Sequence, residues 1–270
     1  MSSILTNNGA MVALQTLKSV NMDLNDTQSQ ISTGKRIGSA KDNAAVWAIS
    51  KTMDSDIAGY NSVQESLGVG EATVAVALSG AEQIVETLTE MKQLAISANS
   101  ENVDHAKIQD SLAKKAAQIE SIIDSAEFNG ANLLDAATTT QLTVLGGLDP
   151  AADTITVTSI DSAADLSTAG ITAITDVATA STALTEIETM LGNAIDASAQ
   201  LGADSNRLSD QSKFVSKLND SLKMGVSTMT DTNMEESSAR LKALQTQQQL
   251  AVQSLSIANQ APQTLMSLFR

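Results

Sequence analysis

The chain has 270 residues, which is enough for one or two domains with buried cores, and its 2% aromatic residues and two prolines favour long packed helices. It has no cysteine, which excludes a disulfide framework and thiolate metal ligation, and no apolar stretch approaches the roughly 20 residues of a membrane span. The net charge is −15, with no Lys or Arg in residues 116–206, so no basic patch favours a nucleic-acid partner.

The first half of the chain is predicted to form three helices. The first spans residues 4–31 and stops at Gly34, a residue type that commonly ends helices. Asp42 is expected to cap the start of the second helix, which continues past two glycines to about residue 99. A third helix is expected to begin near Asp104.

The second half opens with a change of character in residues 136–180. Thr-rich alternation in Gln141–Leu145 and Thr154–Ile160 predicts two short strands, and we expect them to be the only β structure in the chain. Helix is predicted to resume near Ser181, and a last helix is predicted from about Met234 to the end.

Both ends of the chain carry apolar residues at helical 3–4 spacing, the pattern of a helix that lies against other helices. Most domains carry loose polar tails at their termini. The two stripes therefore predict helices that assemble, whereas an ordinary intramolecular bundle would explain the central helices better than the terminal ones. The stripe residues are Leu14, Leu17, Leu24 and Ile31 near the start, and Leu241, Leu244, Leu255, Leu265 and Phe269 near the finish.

These elements predict the fold class. The chain is expected to be mainly α, a long antiparallel helical bundle or coiled-coil rod with a small β region at its midpoint. Because the chain goes out through helices and returns through helices, residues 1–40 are expected to pair with 236–270, and 41–135 with 181–235.

No constellation of residues in the sequence predicts catalysis. The sole histidine, His105, has no cysteine to join it in a zinc site, and neither a phosphate-binding glycine loop nor a nucleophile elbow occurs. The acidic residues form no calcium-binding loop. We therefore expect no enzyme activity, no cofactor and no metal.

Four parts of the sequence carry distinctive motifs: the N-terminal helix, the turn STGKRIGSAKDNAA that follows it at 32–45, EFNGANLL at 127–134, and the C-terminal stretch 238–270. Together, and in this order, they resemble bacterial flagellin. The resemblance implies a subunit whose terminal helices, 1–40 and 236–270, form the coiled core of a filament. Residues 41–135 and 181–235 would then form a helical shell domain, and 136–180 a short variable outer region.

The resemblance also implies where the protein acts and with what. Flagellins are exported unfolded through the type III pathway of the flagellum, without a cleaved signal, and build the extracellular filament used for swimming. The implied partners are further copies of the chain, an export chaperone, the export gate, the cap and the hook-junction proteins.

One segment departs from the pattern of the family. In many flagellins the stretch matching Thr89–Ala95 carries an arginine that engages the Toll-like receptor of animal innate immunity. This chain has Glu90 at that position, keeps Leu94, and has Lys92 where the family often has arginine. The resemblance therefore implies weak recognition by that receptor.

Two other functions compete with the filament subunit. A hook–filament junction protein shares the terminal helices, but the unbroken flagellin-like C-terminus disfavours it. An amphipathic protein that coats a lipid or granule surface would need basic residues beside its apolar face, and the acidic balance disfavours it.

Overall fold

A computed structural model describes the backbone of residues 7–268 and the side chains of residues 7–260. The predicted stripe residues Leu265 and Phe269 lie outside the described side chains. The described elements, in chain order, are α1 (Asn8–Thr33), α2 (Ala44–Ala98), α3 (His105–Ser125), β1 (Glu127–Phe128), β2 (Ala131–Asn132), β3 (Gln141–Leu145), β4 (Thr154–Thr158), α4 (Ser162–Asp165), a 3-10 turn (Thr168–Gly170), α5 (Val177–Thr230) and α6 (Met234–Leu268). The mainly α fold class with a small β region is confirmed.

The chain divides into two compact units. The terminal unit comprises Met1–Ser55 and Ser221–Arg270, and the central unit comprises Asp56–Asp220. The division into a core, a shell and an outer region stays a prediction.

The helix ends at Gly34 and Asp104 follow the predicted local chemistry, whereas the start of α2 does not. Gly34 ends α1 with φ of 71°, and Asp104 caps α3 by accepting from the Lys107 amide at 3.2 Å. The prediction for Asp42 is wrong, because Asn43 caps α2 by accepting from the Val46 amide. The Asp42 carboxylate instead accepts from the amides of Gly38 and Ser39 and so closes the preceding turn.

The β structure is richer than predicted. Strands β3 and β4 pair antiparallel, with Val144 opposite Ile155, which confirms the predicted pair. A second hairpin, β1–β2, contradicts the expectation of a single β region. Asn129 and Gly130 turn it with φ of 51° and 83°, the positive values that a tight two-residue turn requires.

The start of α5 is also corrected. The helix begins four residues before the expected Ser181, because Asp176 accepts from the Thr179 amide at 2.8 Å and caps it earlier. The short α4 and the 3-10 turn precede it, and the sequence did not predict either.

The core of the central unit is aliphatic and draws on α2, α3, α5 and the strands. Three glycines of α2 lie at points where side chains from other parts of the central unit pack against the helix. A Cβ on Gly70 would lie 2.5 Å from Val144 of β3, and one on Gly80 would lie 2.8 Å from Leu134. Gly59 faces Leu148 in the same way. The missing side chains therefore let the β3–β4 hairpin and the 131–134 segment approach the helix.

Candidate assembly interface

The terminal helices α1 and α6 pack side by side within the terminal unit. Their shared seam buries Val20 and Thr27 of α1 and Leu244 of α6, the last with 6% of its surface exposed. Most other seam positions stay half-buried, since two helices alone cannot enclose one another. The pair is thus a thin structure with little core of its own.

Two hydrogen bonds across the seam fix its direction and register. The Asn7 amide donates to the Ala258 carbonyl at 2.7 Å, and the Gln248 amide donates to the Asn21 side-chain oxygen at 2.6 Å. Low numbers in α1 face high numbers in α6, so the helices are antiparallel. A polar pair in an apolar seam selects one register, because any slip leaves its groups unpaired.

A backbone clasp closes the end of the pair where α1 stops. The amides of Arg36 and Ile37 both donate to the Thr230 carbonyl, and the Thr232 amide donates to the Gly34 carbonyl at 3.0 Å. The Arg36 guanidinium adds a bond to the Met229 carbonyl at 2.9 Å. This clasp joins the flagellin-like turn after α1 to the connection between α5 and α6.

The predicted stripe residues do not all occupy one face. Leu17, Leu24, Ile31, Leu241 and Leu255 lie half-buried along the α1–α6 seam, and Leu244 is buried there. Leu14 does not belong to this seam, since 56% of its surface is exposed. The seam is filled at that level by the smaller Ala13, which the stripe pattern missed.

Large apolar side chains are exposed along both terminal helices, away from their seam. A soluble monomer exposes single apolar residues routinely, but a row of them along two adjacent helices is typical of an interaction surface. In α1 these are Met11, Val12, Leu14 and Met22, and in α6 they are Leu250, Val252 and Ile257, each more than half exposed.

The receptor-like segment lies on α2 in the central unit. Glu90 is exposed and forms an ion pair with Lys115 of α3, while Lys92 pairs with Glu188 of α5 at 2.9 Å. Leu94 is half-buried and packs against the core. The exposed surface at this point of α2 therefore carries a carboxylate that is paired within the chain.

Other chemistry is sparse in the residues that the structure describes. The His105 ring nitrogen Nε2 lies 3.0 Å from the Ala98 carbonyl, where it ties the start of α3 to the end of α2. Among the described side chains, residues 7–260, no group of three or more His, Asp or Glu is placed to hold a metal ion. In the part of the chain whose backbone is described, residues 7–268, no helix is both long and apolar enough to cross a membrane.

An antiparallel pair of terminal helices with exposed apolar flanks is typical of helical subunits that assemble with copies of themselves. Comparison with known proteins identifies the family. The bacterial flagellin N-terminal helical region matches residues 4–140, and the bacterial flagellin C-terminal helical region matches residues 184–269.

Full-length relatives agree with these two matches. Flagellin FljM of Caulobacter vibrioides is 40% identical, over 100% of this chain and 99% of its own. A flagellin of Brucella melitensis is 41% identical over 100% of both chains. The crystal structure of Bacillus cereus flagellin shares the fold, with a TM-score of 0.51 and 23% identity over 56% of this chain and 88% of its own.

The chain therefore belongs to the bacterial flagellin family. It is a structural protein, the subunit of a flagellar filament that serves motility, as the sequence predicted. The comparisons give no support to the hook–filament junction protein or to a surface-coating protein.

Proposed function

We propose that the chain polymerises through α1 and α6 into the extracellular filament. The exposed apolar flanks of the terminal helix pair carry this proposal. The α1–α6 pair buries little of its own surface, so much of the stabilisation of the two helices has to come from neighbouring subunits.

The distribution of charge supports the same interface. No charged residue occurs in residues 1–17 or 243–269, although the whole chain carries a net charge of −15. Identical copies can therefore bring these segments together without like-charge repulsion, while the acidic central residues stay in water. The stripe residues of α1 and α6 are the proposed contacts, some within the pair and some between subunits.

Several further properties follow from membership of the family and belong to the proposal. The chain acts without enzymatic activity, leaves the cell by the flagellar export route, and meets an export chaperone, the export gate, the cap and the hook-junction proteins on its way. The terminal helices form the core of the filament, residues 41–135 with 181–235 form the shell, and 136–180 form its outer surface.

The segment around Glu90 is proposed to meet the flagellin receptor of animal cells poorly. A receptor surface suited to a guanidinium would face a carboxylate at Glu90, and this loss of charge complementarity costs affinity. Lys115, which pairs with Glu90, offsets only part of that change.

A direct experiment tests the proposed function in the cell. The gene is deleted, and cells are scored for swimming and for surface filaments by electron microscopy, with peptide identification of sheared filaments. We expect the filaments of wild-type cells to contain this chain. We expect the deletion to abolish or reduce swimming and surface filaments, and only the intact gene to restore them. Sheared filaments that lack its peptides would contradict the proposal.

A further inference from the structure

Residues 161–176, which we call the strap, lie over α3 and the N-terminal part of α5 and contain α4 and the 3-10 turn. Two apolar side chains anchor the strap, since Leu166 and Ile174 are each 1% exposed within the core of the central unit. No backbone-to-backbone hydrogen bond joins residues 161–175 to α2, α3 or α5. The attachment of the strap therefore depends on side chains.

Carboxylates of the underlying helices hold the middle of the strap. Glu120 of α3 accepts from the Thr168 hydroxyl at 2.9 Å. Glu186 of α5 accepts from both the amide and the hydroxyl of Thr172, at 2.6 and 2.9 Å. Hydrogen bonds to a charged acceptor are stronger than those between neutral groups, so we call these two contacts the latches of the strap.

The packing beneath the strap is incomplete. A cavity of about 270 Å³, lined in part by Leu112, lies between α3 and the 3-10 turn. A second cavity of about 170 Å³, lined in part by Ile123, lies between α3 and α4. The latch residues Glu120 and Thr168 line both cavities. Atoms that face a void lose van der Waals partners on that side, so detaching the strap costs less than detaching a tightly packed segment.

The charges on the strap and beneath it have the same sign. The strap contributes three acidic residues and no basic one, and the helices beneath it contribute three more acidic residues. They are Asp161, Asp165 and Asp176 in the strap, and Glu120, Asp124 and Glu186 beneath it. Residues 116–206 contain no Lys or Arg, and Lys92 of α2 and Lys115 of α3 pair with other carboxylates. Such like charges repel over a distance set by salt, about 30 Å at 0.01 M and about 8 Å at 0.15 M.

We propose that the strap opens as a unit while α2, α3 and α5 stay folded, and that ionic strength controls this opening. At low salt the repulsion between the strap and the carboxylates beneath it favours the open form. At higher salt the repulsion is screened, and the latches, whose donors are uncharged, hold the strap closed. The strap is thus a salt-responsive element of the central unit, and this inference does not depend on the proposed function.

Hydrogen exchange of the purified full-length chain, followed by mass spectrometry, tests the proposal. The chain is kept monomeric, with any polymer removed by sedimentation, at about 10 mM and about 150 mM NaCl. Peptides from the strap are compared with peptides from residues 74–95 of α2. We expect strap amides to exchange at least about tenfold faster than α2 amides at low salt. The strap rate should fall about fivefold at the higher salt, while the α2 rate stays unchanged.

Three variants separate local repulsion from the latches and from net charge. Asp165→Asn removes an exposed strap carboxylate that is not a latch, so it should slow opening at low salt about two- to fivefold. Glu65→Gln makes the same change of charge on α2, about 40 Å along the helix from Lys92, and should leave the strap unchanged. Thr168→Val removes only a latch hydroxyl and should speed strap exchange about tenfold at both salt concentrations.

Three results would overturn the proposal. Strap amides that exchange as slowly as those of α2 would mean that the strap opens only when the whole central unit unfolds. A strap rate that is unchanged or raised by salt would mean that repulsion does not control the opening. Equal effects of Asp165→Asn and Glu65→Gln would assign the salt dependence to the net charge of the chain and not to the strap.

Discussion

Replacing Gly70 by alanine should destabilise the central unit, although alanine is ordinarily the better helix former. In the interior of a helix, Gly→Ala gains about 0.5–1 kcal/mol. At Gly70 the new Cβ would lie 2.5 Å from one methyl of Val144 and 3.1 Å from the other. Val144 is buried in β3 with 3% exposure, so it cannot swing into solvent. Overpacking of this kind costs about 1–3 kcal/mol.

Gly68 supplies a matched control on the same helix. It lies two residues away, and a Cβ added there would meet nothing within 4 Å. Gly68→Ala should therefore raise the free energy of unfolding by about 0.5–1 kcal/mol. The two alanine variants should differ by the overpacking term, about 1–3 kcal/mol, with Gly70→Ala the less stable.

Urea unfolding of the monomer, followed by circular dichroism, measures both variants. Because 1 kcal/mol shifts the melting temperature by about 2–4 °C in a protein of this size, thermal scans give a second reading. Adding Val144→Ala to Gly70→Ala should recover part of the loss, since the methyl group introduced on α2 would then fill the space that the valine vacates. Equal stabilisation by the two glycine replacements would refute the close packing of β3 on α2.

The other predictions concern the seam, the caps and the receptor segment. Leu244 is only 6% exposed, so Leu244→Ala should lower the free energy of unfolding of the α1–α6 pair by about 2–4 kcal/mol and speed hydrogen exchange in α1 at least about tenfold. Leu250 is 57% exposed, so Leu250→Ala should leave that exchange unchanged. Equal effects of the two variants would contradict the assignment of Leu244 to the seam. Hydrogen bonds from the backbone and side chain of Lys107 lower the pKa of Asp104, so its stabilisation of α3 is present above the ordinary Asp range, near about pH 4, and disappears as pH falls through the lowered value. Asp104→Ala should therefore destabilise α3 at pH 7 and flatten the dependence of stability on acid, which urea titrations between neutral and acidic pH would show; an unchanged slope would refute this role. Glu90→Arg should increase signalling in a receptor reporter-cell assay, while the fold tolerates loss of the exposed ion pair with Lys115, worth about 0–1 kcal/mol; strong signalling by the wild-type monomer would contradict the proposal.

Local chemistry explains which parts of the fold were predictable. The stop at Gly34, the cap at Asp104 and the strand Gln141–Leu145 each depend on residues within a few positions of one another. The wrong assignment of Asp42 also has a local cause. Asp42 and Asn43 are both good helix caps, and the hydrogen bonds from Gly38 and Ser39 to Asp42 leave Asn43 as the cap. The two-residue strands β1 and β2 are too short for any alternation to predict.

Tertiary packing explains what the sequence could not predict. The glycines of α2 look alike in the sequence, but only the position of Val144 makes Gly70 different from Gly68. Likewise the 3–4 spacing placed Leu14 in the same stripe as Leu17, whereas the partner helix selects Ala13 for the seam. The register between α1 and α6 is set by hydrogen bonds between residues more than 200 positions apart, which local spacing cannot predict.

Sedimentation of purified chain under polymerising salt tests most directly the claim that the terminal helices assemble the filament. Full-length chain is compared with a version spanning residues 45–230, which keeps the central unit and lacks α1 and α6. The full-length chain should pellet as filaments visible by electron microscopy, while the shortened chain stays folded and soluble as a monomer. Normal filaments from residues 45–230 would contradict the account.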